Sequence, residues 1–228
     1  MTVRSADPSE AREVGTRVYH DHRLEVLGDK STFAFRMDAT ALGPVTIGWL
    51  TYDTPVRIET AEFEDSYQVN LVAHGVMPAR CGHEEIIGTP GVAMVYRPDR
   101  PTAFSGWQTP EPMLAIKIDR RTLERELERL LDRPVSQPIG FDLGLDIASS
   151  RGADWSRLVR ATAAGLADQN SLLREPMVAA PLIHSLLSGL LLSARHELRD
   201  QLDAPGPSRV PGRSAALAPI SKNTPASH

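Results

Sequence analysis

Cysteine occurs once in 228 residues, aromatic side chains make up only 5% of the chain, and the 25 lysines and arginines fall short of the 29 acids. The lone Cys81 excludes an intramolecular disulfide framework. A formal charge of −4 provides no general positive field, which argues against binding of nucleic acid over the whole surface. The opening MTVRSADPSEAREV has no apolar stretch of the signal-peptide kind. The most apolar segment, PLIHSLLSGLLLSA (181–194), is short for a bilayer and is interrupted by His184, Ser185, Ser188 and Gly189. A cytoplasmic chain without membrane contact is therefore expected. No G-x-S-x-G elbow is present, and Cys81 has no sequence-evident base.

What is there is ordinary globular composition, 41% hydrophobic and 24% charged, enough for one good core. Asp7-Pro8-Ser9-Glu10 places an N-cap acid, a proline at the first helical position and an early glutamate ahead of Ala11, Val14 and Val18, which predicts a short first helix. From Ser31 the period changes to two. Phe33, Phe35 and Met37 alternate, as do Val45, Ile47 and Trp49, then Val56 and Ile58, then Tyr67, Val69, Leu71 and Ala73. Cys81-Gly82-His83 and Gly88-Thr89-Pro90-Gly91 read as turns, and Met113 to Ile118 closes the series. Eight or more short strands divided by Gly and Pro turns predict a closed barrel or jelly roll.

The pattern then becomes helical, with stripes at Leu123, Leu127 and Leu130, at Trp155 through Leu166, and at Leu182 through Leu202. Strands followed by helices make this an α+β chain. The boundaries fall at residues 1–118 for the short helix and barrel, 119–202 for the helical segment, and 203–228 for a Pro-rich tail read as disordered.

Chemistry has few candidates. His74, Cys81, His83, Glu84 and Glu85 have the types of a metal site but not its spacing, since Cys81 and His83 fall in a tight turn and Cys81 reads as a surface thiol. Glu62, Glu64 and Asp65 read as a solvated strand edge rather than an acid/base pair. In Arg120 to Arg133 the arginines alternate with Glu124, Glu126 and Glu128, giving a helix face laced with ion pairs rather than a DNA patch. Trp49, Tyr67, Tyr96 and Trp107 lie on predicted strands, where they either line a ligand cavity or fill the barrel.

Five segments taken in order carry a resemblance: DPSEAREV; HDHRLEVLGDKSTFAFRMDATALGPVTIGWLTYDTPVRIE; GTPGVAMVYRPDRPTAF; LAIKIDRRTLERELERLLDRPV; and LLSGLLLSARHELRDQL. Together, over about residues 5 to 202, the chain resembles the effector-binding half of AraC/XylS-type transcription regulators. The resemblance implies a cupin-like β-barrel (jelly roll) followed by a C-terminal helical dimerisation segment. Metal-binding cupins carry a histidine pair on a barrel strand and a further histidine after the Pro-Gly turn. Here the one H-x-H, His20-Asp21-His22, precedes the predicted strands, and Met94 stands near the later position. The implied barrel holds no metal and no cofactor and receives a small organic effector, lined by Trp49, Tyr67, Val69, Met94, Tyr96 and Trp107.

Leu182, Ile183, Leu186, Leu187, Leu190 and Leu191 form an apolar stripe expected to carry a homodimer, or a heterodimer with a full-length relative. The DNA-binding helices of such regulators are not found after Leu202, so the chain alone is expected not to bind DNA. The competing reading is a cupin-type metal-dependent isomerase or oxygenase using His74 and His83.

Overall fold

The computed structural model describes residues 1–106 and 112–203. The elements run β1 (Thr2–Ser5), α1 (Pro8–Val18), β2 (Arg23–Val26), β3 (Phe35–Leu42), β4 (Val45–Tyr52), β5 (Val56–Thr60), β6 (Ser66–Val72), β7 (Met77–Cys81), β8 (Glu84–Gly88), β9 (Val92–Tyr96), β10 (Thr102–Gly106) and β11 (Met113–Asp119). After them come α2 (Arg120–Leu131), β12 (Gly144–Asp146), α3 (Ser150–Leu166), α4 (Pro176–Ser193) and α5 (Arg199–Asp203). Helix α1 starts as its sequence dictates, with Asp7 accepting from the Ser9 N–H at 2.8 Å and Pro8 in the first turn.

The strands form two antiparallel sheets, ordered β1-β3-β4-β11-β6-β9-β12 and β2-β5-β10-β7-β8. Their facing sides enclose one core of Phe35, Met37, Leu50, Tyr52, Ile58, Met94, Tyr96, Phe104 and Met113, the interior of a cupin-like jelly roll. The opposite side of the seven-stranded sheet carries a second core. There Ile116 pairs with Val69 on one neighbour and Ile47 on the other, and all three lie against Leu123, Leu127, Trp155, Val159, Leu187 and Leu190 of the helices. The molecule thus stacks five strands, seven strands and a helical layer. Strand β6 is buried along its whole length because it lies between the two cores.

The helical layer departs from the expected pattern in two ways. The stripe read as one helix from Leu182 to Leu202 is two. Helix α4 begins earlier, at Pro176, and stops at Ser193, and an isolated bridge between Phe141 and His196 precedes α5. The predicted dimer stripe is also used inside the chain: Leu186, Leu187, Leu190 and Leu191 are buried in the second core, with Leu182 and Ile183 half-buried beside it. The physical reason is the seven-stranded sheet itself, whose outer face is nearly all aliphatic and has to be covered. Trp155 fixes the pairing of α3 and α4 by donating its indole N–H to the Leu186 carbonyl at 2.9 Å.

On α2 the expected ion pairs form, Arg120–Glu124 and Arg129–Glu126, each at 2.8 Å. Glu126 is buried rather than solvated, and it also accepts from Ser188 of α4. Helix α4 is long and apolar enough to cross a membrane by length and composition, but its buried leucines are spent on the sheet. Residues 204–228, and with them nearly all of the tail, lie outside the described residues.

If the α4 leucines are core, truncating one should cost stability and leave the mass unchanged. Leu190→Ala is expected to lower the unfolding free energy by about 2–5 kcal/mol in urea titration. Sedimentation should give the same species for the variant as for the parent. A dissociation with little loss of stability would assign Leu190 to an interface instead.

Candidate functional site: the barrel mouth

One end of the barrel is closed by α1 and by the segment that leaves it. Ala11, Val14 and Gly15 bury one helix face in the barrel core. The chain then runs Tyr19-His20-Asp21-His22 into β2. Tyr19 inserts between the sheets, where its hydroxyl donates to the Ala115 carbonyl at 3.3 Å. Only a glycine at position 48 admits it, since a Cβ there would stand 2.5 Å from the Tyr19 hydroxyl oxygen. The Tyr19 carbonyl in turn accepts from the Lys117 ammonium on β11 at 2.6 Å.

This anchoring sets two imidazoles into the mouth. His20, 9% exposed, stacks on Phe63 with ring centroids 3.8 Å apart and planes 15° from parallel. His22 places Nδ1 2.8 Å from the His20 carbonyl oxygen. Gly15 makes room for it, because a Cβ there would lie 2.7 Å from His22 Cε1. In both rings Nε2 is buried and has no hydrogen-bond partner. A native interior seldom leaves polar atoms so placed, and such atoms call for an explanation.

Both rings line a small cavity of about 40 Å³, together with Leu50, Tyr52, Ile58, Thr60, Gln68, Phe104 and Met113. Tyr19, His20, His22, Thr60 and Phe63 also border an open cleft of about 600 Å³ outside it. The rim of that cleft carries five carboxylates, Asp21, Glu59, Glu62, Glu64 and Asp65, against Arg23 and Lys117. A larger depression, about 660 Å³, spreads over the solvent side of the five-stranded sheet between Arg57, Glu59, Arg80 and Glu85. None of its lining residues has a buried polar atom without a partner, so the mouth is the better candidate despite its smaller volume.

Burial pushes the His20 imidazole down to about 3, helped by the nearby Lys117 ammonium, while Asp65 and the Gln68 side chain, as an acceptor for the ring, act the other way. Burial also lowers His22, against the pull of the His20 carbonyl. Both rings are therefore neutral at pH 7.

The sequence-read lining residues divide between the two cores. Met94 and Tyr96 face the barrel interior. Tyr67 and Val69 lie in the second core, with Trp49 packed against it, so these three face the helices and not the barrel. In β6 it is Gln68 and Asn70 that point inward, joined by a hydrogen bond of 2.9 Å. Tyr67 instead accepts from the Ile139 N–H at 2.6 Å and donates to Glu124 at 3.1 Å. Trp107 lies outside the described residues. Cys81, read as a surface thiol, is 4% exposed at the end of β7 with its side chain in the barrel core, and burial raises its pKa. His83, Glu84 and Glu85 are exposed around the following turn, apart from it. Among the described residues no three His, Cys, Asp or Glu converge as metal ligands. Sequence reading passed over His20 and His22 because they precede the first strands that the alternation predicts, from Ser31 on. Gly15 was the available signal, since a glycine on the buried face of a helix marks a close approach.

The neutral state of His20 fixes a pH dependence. Its folded pKa lies below the ordinary histidine value of 6.5, so the unfolded chain binds the extra proton and stability falls as the pH drops from about 6.5 toward 3. One such group contributes a slope approaching about 1.4 kcal/mol per pH unit. Urea unfolding of His20→Leu across this window should show a shallower acid loss than the parent. Equal slopes would mean that the ring is not buried in solution.

Three comparisons place this geometry among known proteins. The family model described as AraC-binding-like domain matches residues 11–192. A curated relative from Rhodococcus erythropolis, described as a probable thc operon regulatory protein, is 40% identical over 213 residues. That match takes in 92% of this chain and 64% of the relative, so the chain spans a little under two thirds of the relative's length. The crystal structure of the AraC-like transcriptional activator CuxR superposes with a TM-score of 0.58 at 11% identity, over 82% of this chain and 69% of that one, which supports the fold. With a family match across the barrel and the helical layer alike, the chain belongs to the AraC-binding-like domain family.

Proposed function

We propose that this chain is the effector-sensing part of an AraC-type transcription regulator, and that its effector enters the barrel through the mouth at His20, His22 and Phe63. The observation that carries the reading is the pair of buried imidazole Nε2 atoms without protein partners, lining a cavity beside an open cleft. Concave, mostly apolar walls with a few convergent polar groups are what small-molecule sites consist of. The relative's description as an operon regulator supports a regulatory role over an enzymatic one.

Strand β11 offers a route for the signal. Met113 and Ala115 face the barrel, Leu114 and Ile116 face the helices, and the strand runs straight into α2. Asp119 ends the strand and caps the helix, accepting from the Thr122 N–H at 2.7 Å. A ligand that moves Met113 therefore moves the start of α2. Any pairing of chains through α4 has to use what the core leaves open, the exposed Met177 and Val178 with the half-buried Leu182 and Ile183, rather than the four buried leucines. Part of the arginine charge on the helices is offset within them, by Arg120–Glu124 and Arg129–Glu126 on α2 and by Arg157–Asp154 on α3. A gel shift at physiological salt is accordingly expected to show no sequence-specific complex.

A thermal-shift screen of small uncharged organic molecules tests the effector site. A true effector at a hundredfold excess over its Kd stabilises the fold by about 2.7 kcal/mol. Ile58→Phe, which fills the cavity wall, should abolish that stabilisation and keep the far-ultraviolet circular dichroism of the parent. A stabiliser indifferent to Ile58→Phe binds elsewhere and overturns the site.

A further inference from the structure

We propose that the mouth accepts an uncharged head group carrying two hydrogen-bond donors, the chemistry shared by a primary carboxamide and a vicinal diol, and that these donors go to Nε2 of His22 and of His20. The proposal rests on the mouth being the effector site.

The tautomers decide the chemistry. His22 Nδ1 lies 2.8 Å from a carbonyl oxygen, which can only accept, so that nitrogen carries the proton. In a neutral ring Nε2 is then a bare lone pair, and it is buried without a donor. His20 follows the same logic. The Gln68 amide nitrogen donates to Asn70 Oδ1 at 2.9 Å, and the Gln68 side chain opposes the fall of the His20 pKa, as a carbonyl oxygen turned to the ring would. The remaining His20 nitrogen is again Nε2, buried and unpaired. Among the groups that line the cavity, these two Nε2 atoms are the buried ones without a protein partner.

Charge and volume narrow the ligand. A carboxylate head would bring acceptors to acceptors and would enter past five rim carboxylates. An ammonium would gain from that rim, but the rim lies outside in water, while the head would be buried against neutral rings and near Lys117, whose ammonium is already close enough to lower His20. A metal ion lacks a third ligand among the described residues and meets the same lysine. The cavity of about 40 Å³ holds only the head. The body of the ligand has to lie in the cleft outside, where neutral or cationic groups suit the acidic rim.

The test uses the full chain with ¹⁵N-labelled histidine. Propionamide is titrated against its near-isosteric anion propionate and against propylammonium, 1,2-propanediol and zinc, following the imidazole nitrogens by long-range ¹H–¹⁵N correlation. Expected is a saturable shift of both Nε2 signals with propionamide or the diol, and none with propionate or propylammonium at equal concentration. The two positive arms distinguish N–H from O–H donors. His22→Leu should weaken propionamide at least tenfold. Should that variant fold poorly, the Nε2 shifts of the parent alone still decide.

Propionate or propylammonium acting as strongly as propionamide, or zinc shifting both nitrogens, would overturn the head-group assignment while leaving the mouth as a binding site. Silence of both rings to every probe, while a screened stabiliser is blocked by Ile58→Phe, would also overturn the assignment but not the site. Stabilisers indifferent to Ile58→Phe would remove the site and the assignment together.

Discussion

The seven-stranded sheet has no solvent face over its central strands, and the rest of the structure follows from that. Each residue of β6 and nearly every residue of β11 is buried, alternately toward the barrel and toward the helices. Each fully buried aliphatic side chain is worth about 1.5–3 kcal/mol. Uncovering the helix side would expose Ile47, Val69, Leu71, Ile116 and Ile118 together, a loss far beyond the usual margin of a domain. Helices α2, α3 and α4 are therefore as much a part of the barrel's stability as the second sheet, and the apolar run of α4 has its partner within the chain.

The same constraint explains where polar chemistry is allowed. The helix side is packed with aliphatic groups, and its one conspicuous hydroxyl, that of Tyr67, is satisfied by Ile139 and Glu124. The barrel side tolerates Gln68, Asn70, Thr60 and Thr102 because it closes around its own hydrogen bonds, such as the 2.6 Å contact between the two threonine hydroxyls. Buried atoms without a hydrogen-bond partner remain at Asn70 Nδ2 and His196 Nδ1, but two come together where α1 ends, at His20 and His22. Two buried imidazoles with free lone pairs cost stability, and the fold supports them with specific devices: the stack on Phe63, the carbonyl of His20, and the missing side chain at Gly15.

Period and punctuation in the sequence were enough for the capped first helix, the alternating strands from Phe35 on, the Gly and Pro turns, and the change to helical stripes after Ile118, but not for the short strands β1, β2 and β12. They were not enough for facing. Alternation in β6 says that Tyr67, Val69 and Leu71 share a side, but not which of two cores that side meets. With an apolar layer on both faces, the more apolar set went to the helices and the amides went to the barrel. The α4 leucines failed in the same way, since a stripe wide enough for a partner is equally what an aliphatic sheet face requires. The mouth was illegible for a different reason. His20 and His22 become neighbours of Gln68 and Lys117 only through pairings across about 50 and 100 residues, and no local pattern records those.

Because the two cores share their strands, the barrel cannot change shape privately. Interiors packed at protein density pass a displacement on rather than absorb it. On β11, Met113 at the cavity and Leu114 at the helices are adjacent residues, and Lys117 further along holds the Tyr19 carbonyl at the mouth. A head group seated between the imidazoles would press on the segment that Lys117 grips, and the strain would run along β11 to Asp119, the cap of α2. From there Glu126 carries it to Ser188 and His184 of α4. A cavity that holds only a few atoms is therefore no obstacle to sensing: the first displaced atom already meets a strand whose other face is the helical layer.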